Sequence, residues 1–199
     1  MIIFGIDPGS ERTGYGCVAS DGRRHRLVVC GCLSAGADAS FPERLRVIHD
    51  GLASLLARHR PDCIAIENIF HAKNVRSALR LGHARGVALL AASASGSLIV
   101  EYTPAEIKRA VVGFGRAEKT QVAQMVKVLL GLESAPSPHD AADALAVAIC
   151  HIHTANGAIA DAAGRTSQAA GPTSKVAGRT PQVPRSRSKP LTSWRAYRP

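Results

Sequence analysis

Apolar residues at the start of the chain come in short blocks. Ile2, Ile3, Phe4 and Ile6 form a run that stops at Asp7-Pro8-Gly9-Ser10, the pattern of a buried strand with Asp7 at its end. Two more β-like segments follow near residues 13–19 and 26–33, and Asp21-Gly22 between them favours a hairpin turn. The period then changes. Over residues 42–59, Leu45, Ile48, Leu52, Leu55 and Leu56 recur at helical spacing, with Pro42 suited to the first turn and Pro61 closing the segment. Residues 62–67, Asp-Cys-Ile-Ala-Ile-Glu, read as a second short apolar strand, again ending on an acid, Glu67.

A helix is predicted over residues 74–93, capped by Asn74, with Leu79, Leu81, Val87, Leu89 and Leu90 available for burial. Its small residues Ala84, Gly86, Ala88 and Ala91 allow close packing, including against another subunit. A strand at 98–102 leads into Thr103-Pro104, which starts a short helix to about residue 112, and residues 113–116 form a loop. An amphipathic helix over 117–130 and a last helix over 138–153, carrying Leu145, Val147, Ala148 and Ile152, complete the pattern. Three strands followed by alternating helix and strand predict an α/β fold, a mixed sheet with helices on both faces.

Beyond residue 155 the periodicity ends. Residues 156–199 are rich in Ala, Gly, Pro, Ser, Thr and Arg, which predicts a folded domain over 1–155 and a disordered basic tail over 156–199. The tail holds eight Lys or Arg against one acid, Asp161, and so carries +7 of the chain's formal +10. The remaining 155 residues, with 17 basic and 14 acidic side chains, have a net charge of only +3. A polyanionic partner is indicated, but any nucleic-acid surface on the folded part must come from local clustering. No apolar run is long enough to cross a bilayer and Met1 to Ile6 lack the form of a signal peptide, so a cytoplasmic address with no membrane partner is expected. Five cysteines with no C-x-x-C pair indicate neither a disulfide framework nor a zinc knuckle.

The chemistry is carried by acids. Asp7 and Glu67 end two short strands, where adjacent parallel strands would bring their carboxylates together. Asp140 and Asp143 are three apart on a helix and share a face. Each has an ordinary alternative reading: a turn residue for Asp7, a capping or surface carboxylate for Glu67, a complement to the helix dipole for Asp140. Asp143, flanked by Ala141-Ala142 and Ala144-Leu145, is the hardest to read as surface. Four carboxylates gathered in one partly desolvated site repel one another unless a cation compensates them. Oxygen ligands with room for water suit Mg²⁺, with Mn²⁺ as a substitute, and two such ions serve in-line phosphodiester hydrolysis. Asp7 is assigned as the bridging ligand, Glu67 to the leaving-group side, and Asp140 with Asp143 to the nucleophile side.

The ordered motifs Gly5-Ile-Asp-Pro-Gly-Ser10, Thr13-Gly-Tyr-Gly16, Ala65-Ile-Glu67, Phe70 with Ala72-Lys-Asn74, Ala84-Arg-Gly86, Val111-Val-Gly113, Ala117-Glu-Lys119 and Asp140-Ala-Ala-Asp-Ala-Leu145 resemble the RuvC family of Holliday-junction resolvases. The resemblance runs from the first residue to about residue 155. It implies a ribonuclease-H-like fold of the retroviral-integrase superfamily, with a five-stranded mixed sheet. It further implies a Mg²⁺-dependent homodimer that binds four-way junction DNA, nicks two strands symmetrically in recombination and repair, and works with a RuvA-RuvB branch-migration complex. All four acids match the family pattern as catalytic and metal-ligating residues. Phe70, with Lys73 beside it, is placed by the resemblance on the DNA face, where an aromatic ring stacks on or wedges between bases. Lys108 and Lys119 align with DNA-surface cations, and Arg116, Arg109 and Lys127 are candidate companions. His139 is expected near the site without ligating metal, and His151 and His153 in a wet C-terminal turn.

Two other functions stay open. Gly5-Ile-Asp-Pro-Gly with Thr13-Gly14 is also similar to the first phosphate loop of actin-like ATPases, but the chain is too short for their second lobe and lacks G-x-x-x-x-G-K. A non-catalytic junction binder would not require the full carboxylate set.

Overall fold

The computed structural model describes residues 1–68 and 74–167, with side chains described through residue 156. The elements in chain order are β1 (Ile2–Asp7), β2 (Thr13–Ser20), β3 (His25–Leu33), α1 (Phe41–His59), β4 (Cys63–Glu67), α2 (Val75–Ala94), β5 (Leu98–Tyr102), α3 (Pro104–Val112), α4 (Lys119–Leu129) and α5 (His139–Ser167). They form one five-stranded sheet in the order β3-β2-β1-β4-β5. The first three strands are an antiparallel meander, whereas β1, β4 and β5 run parallel, so the sheet is mixed as expected.

Local chemistry explains where the elements start. The Asp21 carboxylate accepts hydrogen bonds from the Arg23 and Arg24 amides, closing the β2–β3 turn at 2.9 and 2.8 Å. Asn74 caps α2 by accepting from the Ser77 amide at 2.9 Å. At α1 and α3 a first-turn acid three residues past the cap reaches back, accepting from the cap's amide: Glu43 from Ser40 and Glu106 from Thr103, both at 2.7 Å.

The sheet has a core on each face. Phe4, Ile6, Ile64 and Ile66 pack under α1 and α2, while Ile3, Val18, Cys63 and Ala65 pack under α3, α4 and α5. Alternate residues of β1 and β4 therefore face opposite layers. Helix α5 is the centre of the second layer, with Ala141, Ala142 and residues 144–150 all buried. Full burial of a side chain such as Leu145 or Ile149 stabilises the fold by about 2 kcal/mol. The helix lies almost on the backbone of the sheet because the strands offer glycines beneath it. A Cβ at Gly5 would stand 2.0 Å from the Ala144 carbonyl oxygen, and one at Gly14 would stand 2.0 Å from that of Asp140.

Three expectations need correcting. In α2 the buried residues are Ala84, Ala88, Ala91 and Ala92, so three of the small residues offered to another subunit instead let α2 close on its own core. The large residues Leu79 and Leu90 are each 60% exposed. Helix α5 does not end near residue 153 but continues through Ser167, across the expected start of the tail. Ala158, Ala160, Ala162 and Ala163 keep helix propensity there, where Ile159 is the one large apolar residue. Finally, His151 and His153 are half-buried rather than wet: His151 bonds the Tyr102 hydroxyl at 2.8 Å and His153 bonds the Ala110 carbonyl at 2.9 Å. All five cysteines are free thiols.

Candidate active site

Asp7 and Glu67 close two adjacent parallel strands. The register pairs Ile6 with Ile66, which sets the two acids side by side at the C-terminal edge of the sheet. Both share the odd-numbered face of Ile3, Gly5, Cys63 and Ala65, so both point to the α5 layer. Asp143, on the second turn of α5, comes down beside them, and the three acids line one cavity of about 310 Å³ with Lys108 of α3 and Lys119 of α4. Pro104, Ile107, Val122 and Ala146 give it an apolar wall that the sequence reading did not identify. Larger hollows exist, such as one of about 500 Å³ between the ends of α1 and α2, but its lining of small residues holds only Arg60 as a charged group. Chemistry selects the smaller one.

Asp140 lies one helical turn before Asp143 and is not in the cavity lining. It is nevertheless close by. Its backbone rests on Gly14, and Gly14 is the register partner of Asp7 across the β1–β2 ladder. The structure thus gathers Asp7, Glu67 and Asp143 directly and leaves Asp140, half-exposed, at the side of the cluster.

Electrostatics in the cavity is strained by like charge. Burial pushes the Asp7 carboxyl up to about 9, aided by its hydrogen bond to Glu67 and by the charges of Glu67 and Asp143, with Lys119 opposing. Glu67 is also raised, by burial first, then by Asp143, while the hydrogen bond from Asp7 pulls the other way. Lys119 donates to Asp143 at 2.6 Å. Burial lowers its pKa, but the bond to Asp143 and the charges of Asp143, Asp7 and Glu67 outweigh that, and it is raised overall.

This donor set suits a hard divalent cation: all oxygen, crowded, and short of positive charge. Lys119 holds its ammonium against Asp143, and among the described residues no three His, Cys, Asp or Glu side chains stand as a ready-made ligand cage.

The remaining predicted residues fall in different places. Arg116 is exposed on the loop between α3 and α4, outside the cavity lining, as are exposed Arg109 and half-buried Lys127. His139 is exposed at the first residue of α5. Phe70 and Lys73 lie outside the described residues.

Comparison with known proteins adds a family match. The family model described as "Crossover junction endodeoxyribonuclease RuvC" matches residues 3–151. A protein of that description from Pelotomaculum thermopropionicum is 52% identical over 153 residues, covering 77% of this chain and 93% of the relative. The solved Thermus thermophilus RuvC structure superimposes with a TM-score of 0.73 at 36% identity, covering 79% of this chain and 97% of that one. A second, "T. thermophilus RuvC in complex with Holliday junction substrate", gives a TM-score of 0.72 at 34% identity, covering 79% and 96% of the two chains.

Proposed function

The chain belongs to the RuvC family of crossover junction endodeoxyribonucleases, and from that premise we propose that it resolves four-way DNA junctions by paired, symmetric, metal-dependent hydrolysis of phosphodiester bonds. The observation that carries the reading is the convergence of Asp7, Glu67 and Asp143 on one cavity flanked by Lys108 and Lys119. The carboxylates are the residues that would hold magnesium, with Asp140 joining from the side of α5. When bound, the metal supplies an activated water and charge compensation at the departing oxygen. The chain's own groups do the positioning. The Asp7–Glu67 pair is fixed by backbone pairing of β1 with β4, and Asp143 by the packing of α5 on Gly5 and Gly14. Lys108 and Lys119 offer cations to the phosphate backbone at the mouth of the cavity. Ile107 and Val122 exclude water from one wall and so strengthen every charge interaction inside.

Symmetric nicks in two strands require two such sites, and the described residues contain one. The second is supplied by a second copy of the chain. The surface that suits it is the outer face of α2, where Leu79 and Leu90 border a hollow of about 460 Å³ with Leu45, Ala78, Gly82 and Val87. A Cβ at Gly82 or Gly86 would meet no atom within 4 Å, so the face is open to close approach. On family membership alone, the cellular partner is the RuvA-RuvB branch-migration complex and the place of action the cytoplasm. Among the described residues no helix is long and apolar enough to cross a membrane.

The test is to incubate the protein with end-labelled four-way junction, linear duplex and fork DNA, with and without Mg²⁺, beside Asp7→Asn. Paired, symmetry-related cuts confined to the junction, needing metal and abolished by Asp7→Asn with binding retained, are expected. Equal cutting of duplex, or full activity in the variant, would refute the reading.

A further inference from the structure

The loop that follows Asp7 takes part in a second, smaller cavity on the opposite side of the sheet edge. It has a volume of about 200 Å³ and is lined by Ser10, Glu11, Ala39, Phe41, Arg44 and Arg80. Ser10 is only three residues beyond Asp7, while Phe41 and Arg44 belong to α1 and Arg80 to α2. We propose that Ser10, Arg44 and Arg80 form a backbone-phosphate site for the DNA strand on the α1–α2 side of the sheet, opposite Lys108 and Lys119. This inference rests on the junction-nuclease reading and extends its DNA footprint to the other helical layer.

Both guanidinium groups are held ready. Arg44 is half-buried and ties its Nε to the Ala39 carbonyl and its Nη2 to the Ala37 carbonyl, each at 3.0 Å. Its Nη1 has no partner among the described residues. Arg80 stacks over the Phe41 ring at 5.5 Å, and His83 meets that ring edge-on at 5.8 Å. Apart from this stacking, Arg80 makes no ion pair or hydrogen bond among the described residues. A planar fork fixed by stacking, with its donors unspent, is the form in which arginine recognises phosphate oxygens.

Size and charge narrow the ligand. The cavity is smaller than the roughly 300 Å³ and upwards typical of sites that enclose a whole small molecule. Two guanidiniums against the Glu11 carboxylate leave one net positive charge, which a phosphodiester with its single negative charge neutralises. A terminal phosphate, carrying more charge, would leave an excess. Cations from both helical layers then flank the carboxylate edge, so a strand lying across Asp7 and Glu67 is held on each side of the bond to be cut.

The test measures binding of a fluorescent four-way junction by anisotropy, in EDTA to prevent cutting, over a range of salt concentrations. Wild type, Arg80→Ala, Arg44→Gln and, as control, Arg46→Ala are compared; Arg46 is exposed on α1 and pairs with Asp50 at 3.3 Å. Arg80→Ala and Arg44→Gln should each bind about five-fold more weakly at low salt, with the slope of log affinity against log salt shallower by about 0.9, and the control should match wild type. Because Arg44 also anchors a loop, melting curves accompany the binding data, and Arg80→Ala decides if Arg44→Gln is less stable. Wild-type affinity and slope in Arg80→Ala would overturn this site while leaving the junction reading intact. Failure of the wild type itself to bind the junction would overturn both.

Discussion

Substituting Gly14 by alanine should damage both the fold and the acid cluster, because a strand backbone and a helix backbone meet there with no room for a methyl group. The added Cβ would lie 2.0 Å from the Asp140 carbonyl oxygen and 2.6 Å from its carbonyl carbon, whereas ordinary contact begins near 3.4 Å. Relief requires a separation of about 1.4 Å, the difference between 3.4 and 2.0 Å. Neither partner can yield alone: β2 is hydrogen-bonded to β1 and β3 on both edges, and α5 is buried from Ala144 to Cys150. Overpacking of this kind costs about 1–3 kcal/mol, which for a domain of this size lowers Tm by roughly 2–12 °C. The displaced segment carries Asp140 and, one turn on, Asp143. A shift of about 1 Å in a reacting group costs on the order of a hundred-fold in rate. Calorimetry should therefore show the lower Tm, and single-turnover cleavage of pre-bound junction the slower rate, with junction affinity little changed. Gly36→Ala, where a Cβ meets nothing within 4 Å, is the matched control and should change neither. A Gly14→Ala protein with wild-type Tm and wild-type cleavage would refute the claim that glycine contacts set the position of α5.

Three further outcomes follow from particular groups. Saturating Mg²⁺ should raise Tm, by an amount matching about 2.7 kcal/mol at a hundred times its Kd, and Asp143→Asn should reduce that rise; a midpoint indifferent to metal would count against the cluster. His151 is held below its usual pKa of 6.5 by burial, so its contribution to stability is present above that pH and lost as pH falls below it. His151→Gln should accordingly flatten the decline of Tm as pH falls below 6.5, and an unchanged decline would remove His151 from the explanation. Leu90→Glu, at a site 60% exposed, should leave the monomer folded but shift sedimentation from dimer to monomer; a persistent dimer would move the interface elsewhere.

The sequence made the strands and their terminal acids legible because β1 and β4 are unbroken apolar runs ended by a turn or a polar residue. Asp143 was legible for a related reason, as a lone acid among buried alanines. In α2 the leucines carry the apolar pattern, yet the fully buried positions are alanines, with Val87 and Leu89 packing partly buried beside them and Leu79 and Leu90 exposed. The continuation of α5 through Ser167 is not legible because Ile159 is the one large apolar residue there, too few to show a helical period, while Ala158, Ala160, Ala162 and Ala163 keep helix propensity. Arg44 and Arg80 lie 36 positions apart in residue number and share a cavity only after α1 and α2 have packed. No spacing rule joins them. The same holds for Tyr102 and His151, bonded across 49 positions.

The acids are fixed in two different ways. Asp7 and Glu67 are set by the hydrogen-bonded register of neighbouring parallel strands, a geometry that side-chain substitution around them barely moves. Asp140 and Asp143 are set by how deeply α5 sits on Gly5 and Gly14, a packing distance rather than a covalent or hydrogen-bonded one. Lys119 adds a second control on the latter pair, since it reaches from α4 to Asp143 with three-quarters of its side chain exposed. A strand of DNA that drew Lys119 onto its phosphates would free Asp143 for another cation while leaving Asp7 and Glu67 in place. Substrate binding and completion of the carboxylate cluster would then be linked through one lysine, acting on the Asp143 side chain rather than on the helix that carries it.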